Sequence, residues 1–434
     1  MAGEWTAQTI DESMAAIIDY RGKTPRKTTA GVPLITAKVV KGGRIETPDE
    51  FIAESDYTEW MRRGIPEPGD VVVTTEAPLG EVAQLGNERV ALAQRLICLR
   101  GKPGVLSNGF LKFLMQSDAV QEQLHSRASG TTVLGIKQSE LRKVVLPLPP
   151  INEQRAIAHI LGTLDDKIEL NRRMNETLEA MARALFKSWF VDFDPVRAKL
   201  EVRWQRGQSL PGLPVHLYDL FPDRFVDSEL GEIPEGWEVG CLGDVANHSR
   251  RSIQPDDIEN GTPYIALEHM PKGRIALTEW STADALESNK YLFKRGEILF
   301  GKLRPYFHKV GVAPVDGVCS TDIVVLTATS SDWFGFVLGH VSSSEFVEYT
   351  NAGSTGTKMP RTSWNDMARY EFVLPPKPVA NAFTELMQSS VDRITAGIHQ
   401  SHTLAALRDT LLPKLISGEI RVHQAESHID GALG

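Results

Sequence analysis

The sequence predicts an α+β fold in which one module is used twice, each copy closed by a long helix. Three observations predict it. Residues recur along the chain at a nearly constant offset. Two long stretches carry a seven-residue apolar repeat behind a Leu-Pro-Pro stop. Short apolar runs alternate with amphipathic stretches ahead of each stop.

Composition sets the bounds. The 434 residues suffice for two or three domains, and 41% hydrophobic with 24% charged residues is ordinary for a globular protein. No run of 18 apolar residues exists, and the acidic start MAGEWTAQTIDESM has no apolar h-region. No membrane span or signal peptide is therefore expected, and the cytoplasm is the default. Three cysteines, Cys98, Cys241 and Cys319, stand far apart, which supports neither a disulfide framework nor a zinc site. The net charge of −9 argues against a chain that binds nucleic acid through overall basicity. Any DNA contact must rest on local cationic clusters.

In chain order, each copy opens on a tryptophan. Trp5 and Ile10 in GEWTAQTIDESM return as Trp237 and Leu242 in EGWEVGCLGDVA. Gly31, Pro33 and Ile35 return as Gly261, Pro263 and Ile265, and Gly43-Arg44-Ile45 as Gly273-Arg274-Ile275. Gly69-Asp70-Val71 matches Gly296-Glu297-Ile298, and Gly130-Thr131 matches Gly356-Thr357. The offset drifts by a few residues, as small loop insertions cause. The apolar runs 70–73, 96–99, 297–300 and 323–326 read as buried strands. Phe110 to Leu124 and Trp333 to Tyr349 each read as one amphipathic helix. Glycine/threonine loops follow, SRASGTTVLGIKQSEL and NAGSTGTKMPRTSWNDM, and then a last strand, 143–146 or 370–374.

The first long helix is expected over 150–190. Ile157, Leu161, Leu164, Ile168, Asn171, Asn175, Leu178, Ala182, Leu185 and Trp189 fall at steps of four and three, the seam of a coiled coil. At 1.5 Å per residue it would span about 60 Å. The second, 377–424, carries the weaker seam Phe383, Met387, Ser390, Ile394, Gly397, Ser401, Leu404, Arg408, Leu411 and Leu415, with Gly397 and Arg408 breaking the rule. The competing reading is two independent amphipathic helices, each on its own domain. An antiparallel pair would set Asn171 opposite Ser401 and Asn175 opposite Gly397, so both seams turn polar or small at mid-length. Residues 191–236, charged and punctuated by Pro and Gly, read as an extended connector. The division is thus 1–149, 150–190, 191–236, 237–376, 377–424 and a tail, 425–434.

No catalytic or metal constellation is apparent. GEILFGKL, 296–303, nearly matches a phosphate loop, but Leu303 stands where the Mg²⁺-binding hydroxyl belongs and the glycines flank a strand. No N/D-P-P-Y/F tetrapeptide occurs, so an amino-methyltransferase site is not evident. His399 and His402 read as solvated helix face. Cationic clusters carry more. Lys302, Arg304, His308 and Lys309, with Tyr306 and Phe307 interleaved, follow Lys294 and Arg295; Arg250 and Arg251 lie earlier in the same copy. The first copy has Arg21, Lys23, Arg26 and Lys27. Arg127, Thr131 and Lys137, and Lys358 and Arg361, sit in or beside the glycine/threonine loops. Cationic, hydroxyl and aromatic side chains of this kind position phosphates and read base edges. A solvated surface loop is the alternative for each cluster.

The tandem duplication, the phrase LPLPPINEQRAIAHILGTLDDKIELNRRMNETLEAMARALFKSWFVDFDPV, the opener ELGEIPEGWEVGCLGDVA and the closing LLPKLISGEI together resemble the specificity subunit of type I restriction-modification systems, over nearly all of 1–424. The resemblance implies two pseudo-twofold-related target recognition domains, separated by a pair of long antiparallel coiled-coil helices. It implies no catalytic site, with each domain reading one half of a bipartite double-stranded DNA target. Two methyltransferase (modification) subunits would dock on the helices, and restriction (motor-nuclease) subunits would join them. AdoMet, ATP and Mg²⁺ would be bound by those partners and not by this chain. Recognition domains in this family vary freely, so the DNA-contact residues named above rest on their chemistry alone. A single-chain methylating or restricting enzyme and a DNA-independent coiled-coil scaffold are the rivals.

Overall fold

The computed structural model describes residues 5–22, 24–130, 133–284, 286–354, 356, 359–422 and 424–425. The chain forms two compact units, Met1–Ile168 with Thr403–Gly434, and Glu169–His402. Both mix helices with mainly antiparallel sheets, the α+β class expected. Among the described residues no helix is long and apolar enough to cross a membrane.

In the first unit a four-stranded antiparallel sheet runs in the order Met14–Asp19, Leu96–Gly101, Val71–Thr75, Leu79–Gln84. The stretches 71–73 and 96–99 of its central strands are apolar without interruption because both faces are covered. Val71, Val73, Ile97 and Leu99 enter one core with the helices. Val72, Leu96 and Cys98 enter a second core with Val32–Ile35 and Ala91–Leu92. Those last two strands pair in parallel, Ala91 with Leu34, in a second sheet. Thr6–Thr9 pairs with Val145–Leu148 just before the proline stop.

The second unit repeats this plan. Its sheet runs Ala246–His248, Ile323–Ala328, Ile298–Gly301, Val310–Val312. Ile298, Phe300, Val324 and Leu326 enter one core and Leu299, Ile323 and Val325 another. The parallel pair recurs as Val318 with Tyr264, and the opening strand as Glu238 with Leu374. The register also recurs: Leu96 faces Thr74 and Ile97 faces Val73, as Ile323 faces Gly301 and Val324 faces Phe300.

Two expectations need correction. Each helix expected as continuous is two. Asn108–Gln116 and Asp118–Ser126 break at Ser117, whose ψ of 146° is extended. Phe334–Val341 and Ser344–Ala352 break at Ser343, whose side chain caps the Phe346 N–H. At Ser343 the break lies in serine's preference for the N-cap; at Ser117 the hydroxyl instead donates to Leu114 O at 2.7 Å and caps no N–H. Residues 191–236 are also not extended. They form the helix Asp194–Leu200, a 3-10 turn at Val215–Leu220 and the hairpin Phe225–Ser228 with Gly231–Pro234. Val196, Trp204, Leu217 and Phe221 are buried in one core with Trp189 and Trp237. Trp189 meets Phe221 edge-on at 5.0 Å. Irregularly spaced aromatics hold this segment, so no periodicity announces it.

The long helices are Ile151–Phe190 and Lys377–Ile416, 40 residues each. The second stops short of 424 at Gly418, whose φ of +74° favours glycine. Within the first unit Ile157, Leu161 and Leu164 share a core with Leu404, Leu411 and Leu415. Arg408, an exception in the seam, donates from Nη1 to Asp165 at 2.8 Å. Within the second unit Asn171 Nδ2 lies 3.2 Å from Ser401 Oγ. A Cβ on Gly397, the other exception, would sit 3.0 Å from Asn175 Oδ1. Phe186 and Phe190 pack on Phe383. The buried stripe is broader than the seam, because Glu179, Phe186 and Val391 are buried as well. Glu179 accepts the N–H groups of Ile275 and Ala276 at 3.2 and 3.0 Å, and burial raises its carboxyl pKa. His399, half-buried, and His402, which stays exposed as expected, are both anchored. Their Nε2 atoms lie 2.9 and 2.8 Å from the Pro314 and Thr278 carbonyls, and His402 stacks on Trp280.

Candidate nucleic-acid interface

In each unit a hairpin turn and the glycine/threonine loop are joined. In the second unit the turn runs 302–309, between Ile298–Gly301 and Val310–Val312. Arg304 and His308 are left-handed, at φ 50° and 51°, and bracket the 3-10 turn Pro305–Phe307. The Arg304 N–H donates to Pro360 O at 2.7 Å and the Thr362 N–H to Lys302 O at 3.0 Å, which ties turn to loop. In the first unit the turn is Glu76-Ala77-Pro78, with Ala77 at φ 51°. Glu76 bridges Gly135, and the Ile136 N–H donates to Thr75 O at 2.9 Å. That loop closes through Ser129 and Gly135, 2.9 and 3.0 Å. It needs glycine at 130, where a Cβ would lie 2.1 Å from Val133 O.

The expected contact residues divide by what they already hold. Lys309 gives its ammonium to Leu267 O, His308 Nε2 lies 2.9 Å from Ser342 O, and Arg251 pairs with Glu297. Lys27 pairs with Glu50 at 2.7 Å, and Arg127 lies 3.9 Å from Glu140. Lys309, His308, Arg251 and Lys27 are thereby tied into the fold, while the longer contact of Arg127 leaves its side chain 33% exposed. Lys137 is exposed ahead of the short helix Gln138–Leu141. Arg26 lines an open cleft of about 450 Å³ with Tyr20, Trp60, Arg62 and Arg63, a different place from the loop pair. Tyr306 is 49% exposed at the hairpin tip, its ring 4.7 Å from Phe307. Lys23, Thr131 and Lys358 lie outside the described residues.

Three cations converge in the second unit. Arg361 pairs with Asp322 at 2.8 Å. Arg250 Nε donates to His248 Nδ1 at 3.1 Å. The Lys302 ammonium has no acceptor among the described residues. Burial pushes its pKa down, Asp322 opposes this, and Arg361 and Arg250 add to the depression. Burial, then Arg250 and Lys302, push the His248 imidazole down to about 4, so it is neutral near pH 7. His248 Nε2, Arg304 Nε and Thr362 Oγ1 are buried without a hydrogen-bond partner among the described residues.

Sequence reading missed His248, Asp322 and Thr362 as neighbours of this cluster, because only the fold gathers them. It also missed Val133 and Met359, exposed by 52% and 54% at matching places in the two loops. Among the described residues no group of three or more His, Cys, Asp or Glu side chains could hold a metal ion.

Comparison with known proteins agrees with the duplicated framework. Residues 20–180 and 234–401 match the type I restriction modification DNA specificity domain, once in each half. The type I restriction enzyme MjaIX specificity subunit of Methanocaldococcus jannaschii is 29% identical over 91% of this chain and 88% of its own. The HindI specificity subunit of Haemophilus influenzae is 25% identical over 77% and 82%. The crystal structure of the type I restriction-modification S subunit from M. genitalium superposes with a TM-score of 0.54 at 14% identity, covering 95% of this chain and 96% of that one, a likeness of fold. With the domain matched twice and the same sheets built twice, the chain belongs to the type I restriction-modification DNA specificity family, whose members are the non-catalytic specificity subunits of those systems.

Proposed function

We propose that the chain reads a bipartite double-stranded DNA target, with modules 1–149 and 237–376 each recognising one half. The observation that carries this reading is the repeated pairing of hairpin turn and glycine/threonine loop on the same sheet, Glu76 with Gly135 and Leu303 with Arg361. A rigid sheet that presents two joined loops is a way to hold side chains against base edges. Arg250, Lys302, Arg304, Tyr306 and Arg361 in the second module, and Lys137 with Arg127 in the first, are the contacts that their positions favour. Arg26 joins them from its cleft.

The two 40-residue helices act as an antiparallel coiled-coil spacer and as the dock for two methyltransferase subunits, which restriction subunits join in the cytoplasm. The mid-helix Asn171 and Gly397 fix the register of the pair, as single polar or small seam residues do. AdoMet, ATP and Mg²⁺ act on the partners. Those partners also supply much of the phosphate neutralisation that a chain of net charge −9 lacks.

Mapping methylated bases in a host that carries the complex tests this reading. Two short half-sites with a fixed spacer are expected. Exchanging 1–149 for another recognition module should change one half-site only. Inserting one heptad into both helices should lengthen the spacer and leave both half-sites unchanged. A single undivided target, or a spacer indifferent to the insertion, overturns it.

A further inference from the structure

The three cations of the second module are only partly offset by the described residues. Arg250, Lys302 and Arg361 are set against one carboxylate, Asp322, which Arg361 already occupies. His248 accepts the Arg250 Nε–H at Nδ1 and leaves its own Nε2 buried without a partner among the described residues. Thr362, 2% exposed, leaves its hydroxyl unpartnered in the strand-like segment that bonds Lys302. Cations and hydrogen-bond donors held together without acceptors cost desolvation unless an anion completes them. The corresponding place in the first module is arranged otherwise. The strand registers equate His248 with Ile17, because His248 faces Leu326 and Ile17 faces Leu99. Arg250 then falls on Asp19, Lys302 on Thr75, Asp322 on Arg95 and Arg361 on Gly135. There Arg95 is satisfied by Glu76 at 2.7 Å. The shared framework therefore does not require the cluster.

We propose that Arg250, Lys302 and Arg361 form a DNA-phosphate clamp found in the second module alone, which grips the backbone and reads no base. This rests on the DNA-reading function proposed above and adds an asymmetry to it: the second half-site is held by charge more than the first. A point-charge ammonium and two guanidinium groups suit phosphate oxygens. Lys302 is half-buried in the hairpin turn, and Arg250 and Arg361 are exposed beside it, open to a backbone that approaches from solvent.

The test is the salt dependence of DNA binding by the full chain in its assembled complex, for unaltered chain, Lys302→Met, Lys302→Arg and Arg250→Gln. Each lost phosphate contact should lower the slope of log affinity against log salt by about 0.9, a loss of roughly fivefold near 0.15 M salt. The loss should be equal for the target and for DNA altered in its second half-site, with methylation preference unchanged, and Lys302→Arg should restore the slope. A neutral methylphosphonate at one backbone position of the second half-site should reproduce the loss and have no further effect on Lys302→Met. An unchanged slope in both Lys302→Met and Arg250→Gln overturns the clamp, as does a changed preference at one base pair. Absence of any target preference in the unaltered complex would instead refute the underlying DNA-reading function.

Discussion

At the hairpin turn of its antiparallel sheet, the first module carries Thr75-Glu76 and the second Lys302-Leu303. Both turns bridge the glycine/threonine loop one residue on, at Gly135 and at Arg361, and both set a left-handed residue before proline, Ala77 and Arg304. The backbone plan is shared while the charge upon it is reversed. Sheet residues are constrained by two cores at once, and loop side chains by neither. The same divergence occurs on the helix that follows. Phe113 and Leu114 of the first module correspond to Gly339 and His340 of the second, and here the difference is one of packing. Gly339 makes room for Phe186, whose ring would lie 2.1 Å from a Cβ at that position.

The comparison can be broken most severely at this glycine. Gly339→Phe, which installs the first module's residue, should cost more than about 3 kcal/mol by overpacking a rigid aromatic cluster. Thermal or denaturant unfolding of the full chain should show the loss as a lowered transition for the second unit. Gly339→Ala should do the same more weakly, and an unchanged transition would show that Phe186 can move aside.

The neighbouring histidine sharpens the comparison through pH. His340 is fully buried among Phe186, Phe336 and Phe372, and burial depresses its pKa from 6.5 to about 3. The folded state then binds this proton less tightly than the unfolded state does. Stability is complete above about pH 6.5 and falls as pH drops toward about 3, by at most about 4 kcal/mol. His340→Leu, the first module's choice, should remove this acid sensitivity from the second unit. Equal pH profiles for the two chains would contradict it.

A smaller effect is expected between the helices. Asn171→Leu gives up the contacts with Ser401 and Gln400 and should change the stability of the second unit by about 1 kcal/mol in either direction. The informative readout is register. Cysteines placed at 175 and 397 should cross-link less selectively in the variant than in an Asn171 background.

Much of this framework was legible in the sequence. The repeated Gly-Asp-Val and Gly-Glu-Ile starts, the four central strands and both long helices followed from apolar runs and proline stops. The helix breaks at Ser117 and Ser343 were missed because a period of 3.6 continues across a cap. The segment 191–236 was missed because Trp204, Leu217 and Phe221 pack without regular spacing. The candidate site was legible as composition and not as geometry. Arg250, Lys302 and Arg361 were each visible as cations, yet 52 and 59 residues of chain separate them. Only strand pairing shows that they meet, while Lys309 and Arg251, equally basic in sequence, are spent on the fold.

The first unit is assembled from both ends of the polypeptide. Its core includes Leu404, Leu411 and Leu415 beside Ile157 and Leu161, whereas the second unit is a single contiguous run, Glu169–His402. During synthesis at the ribosome the later-made unit can therefore finish first. The earlier one must wait with an open apolar surface until some 240 further residues have emerged, about 10 to 50 seconds at ordinary elongation rates. A nascent chain interrupted before Leu404 would leave that surface bare, a natural point for chaperones to engage it.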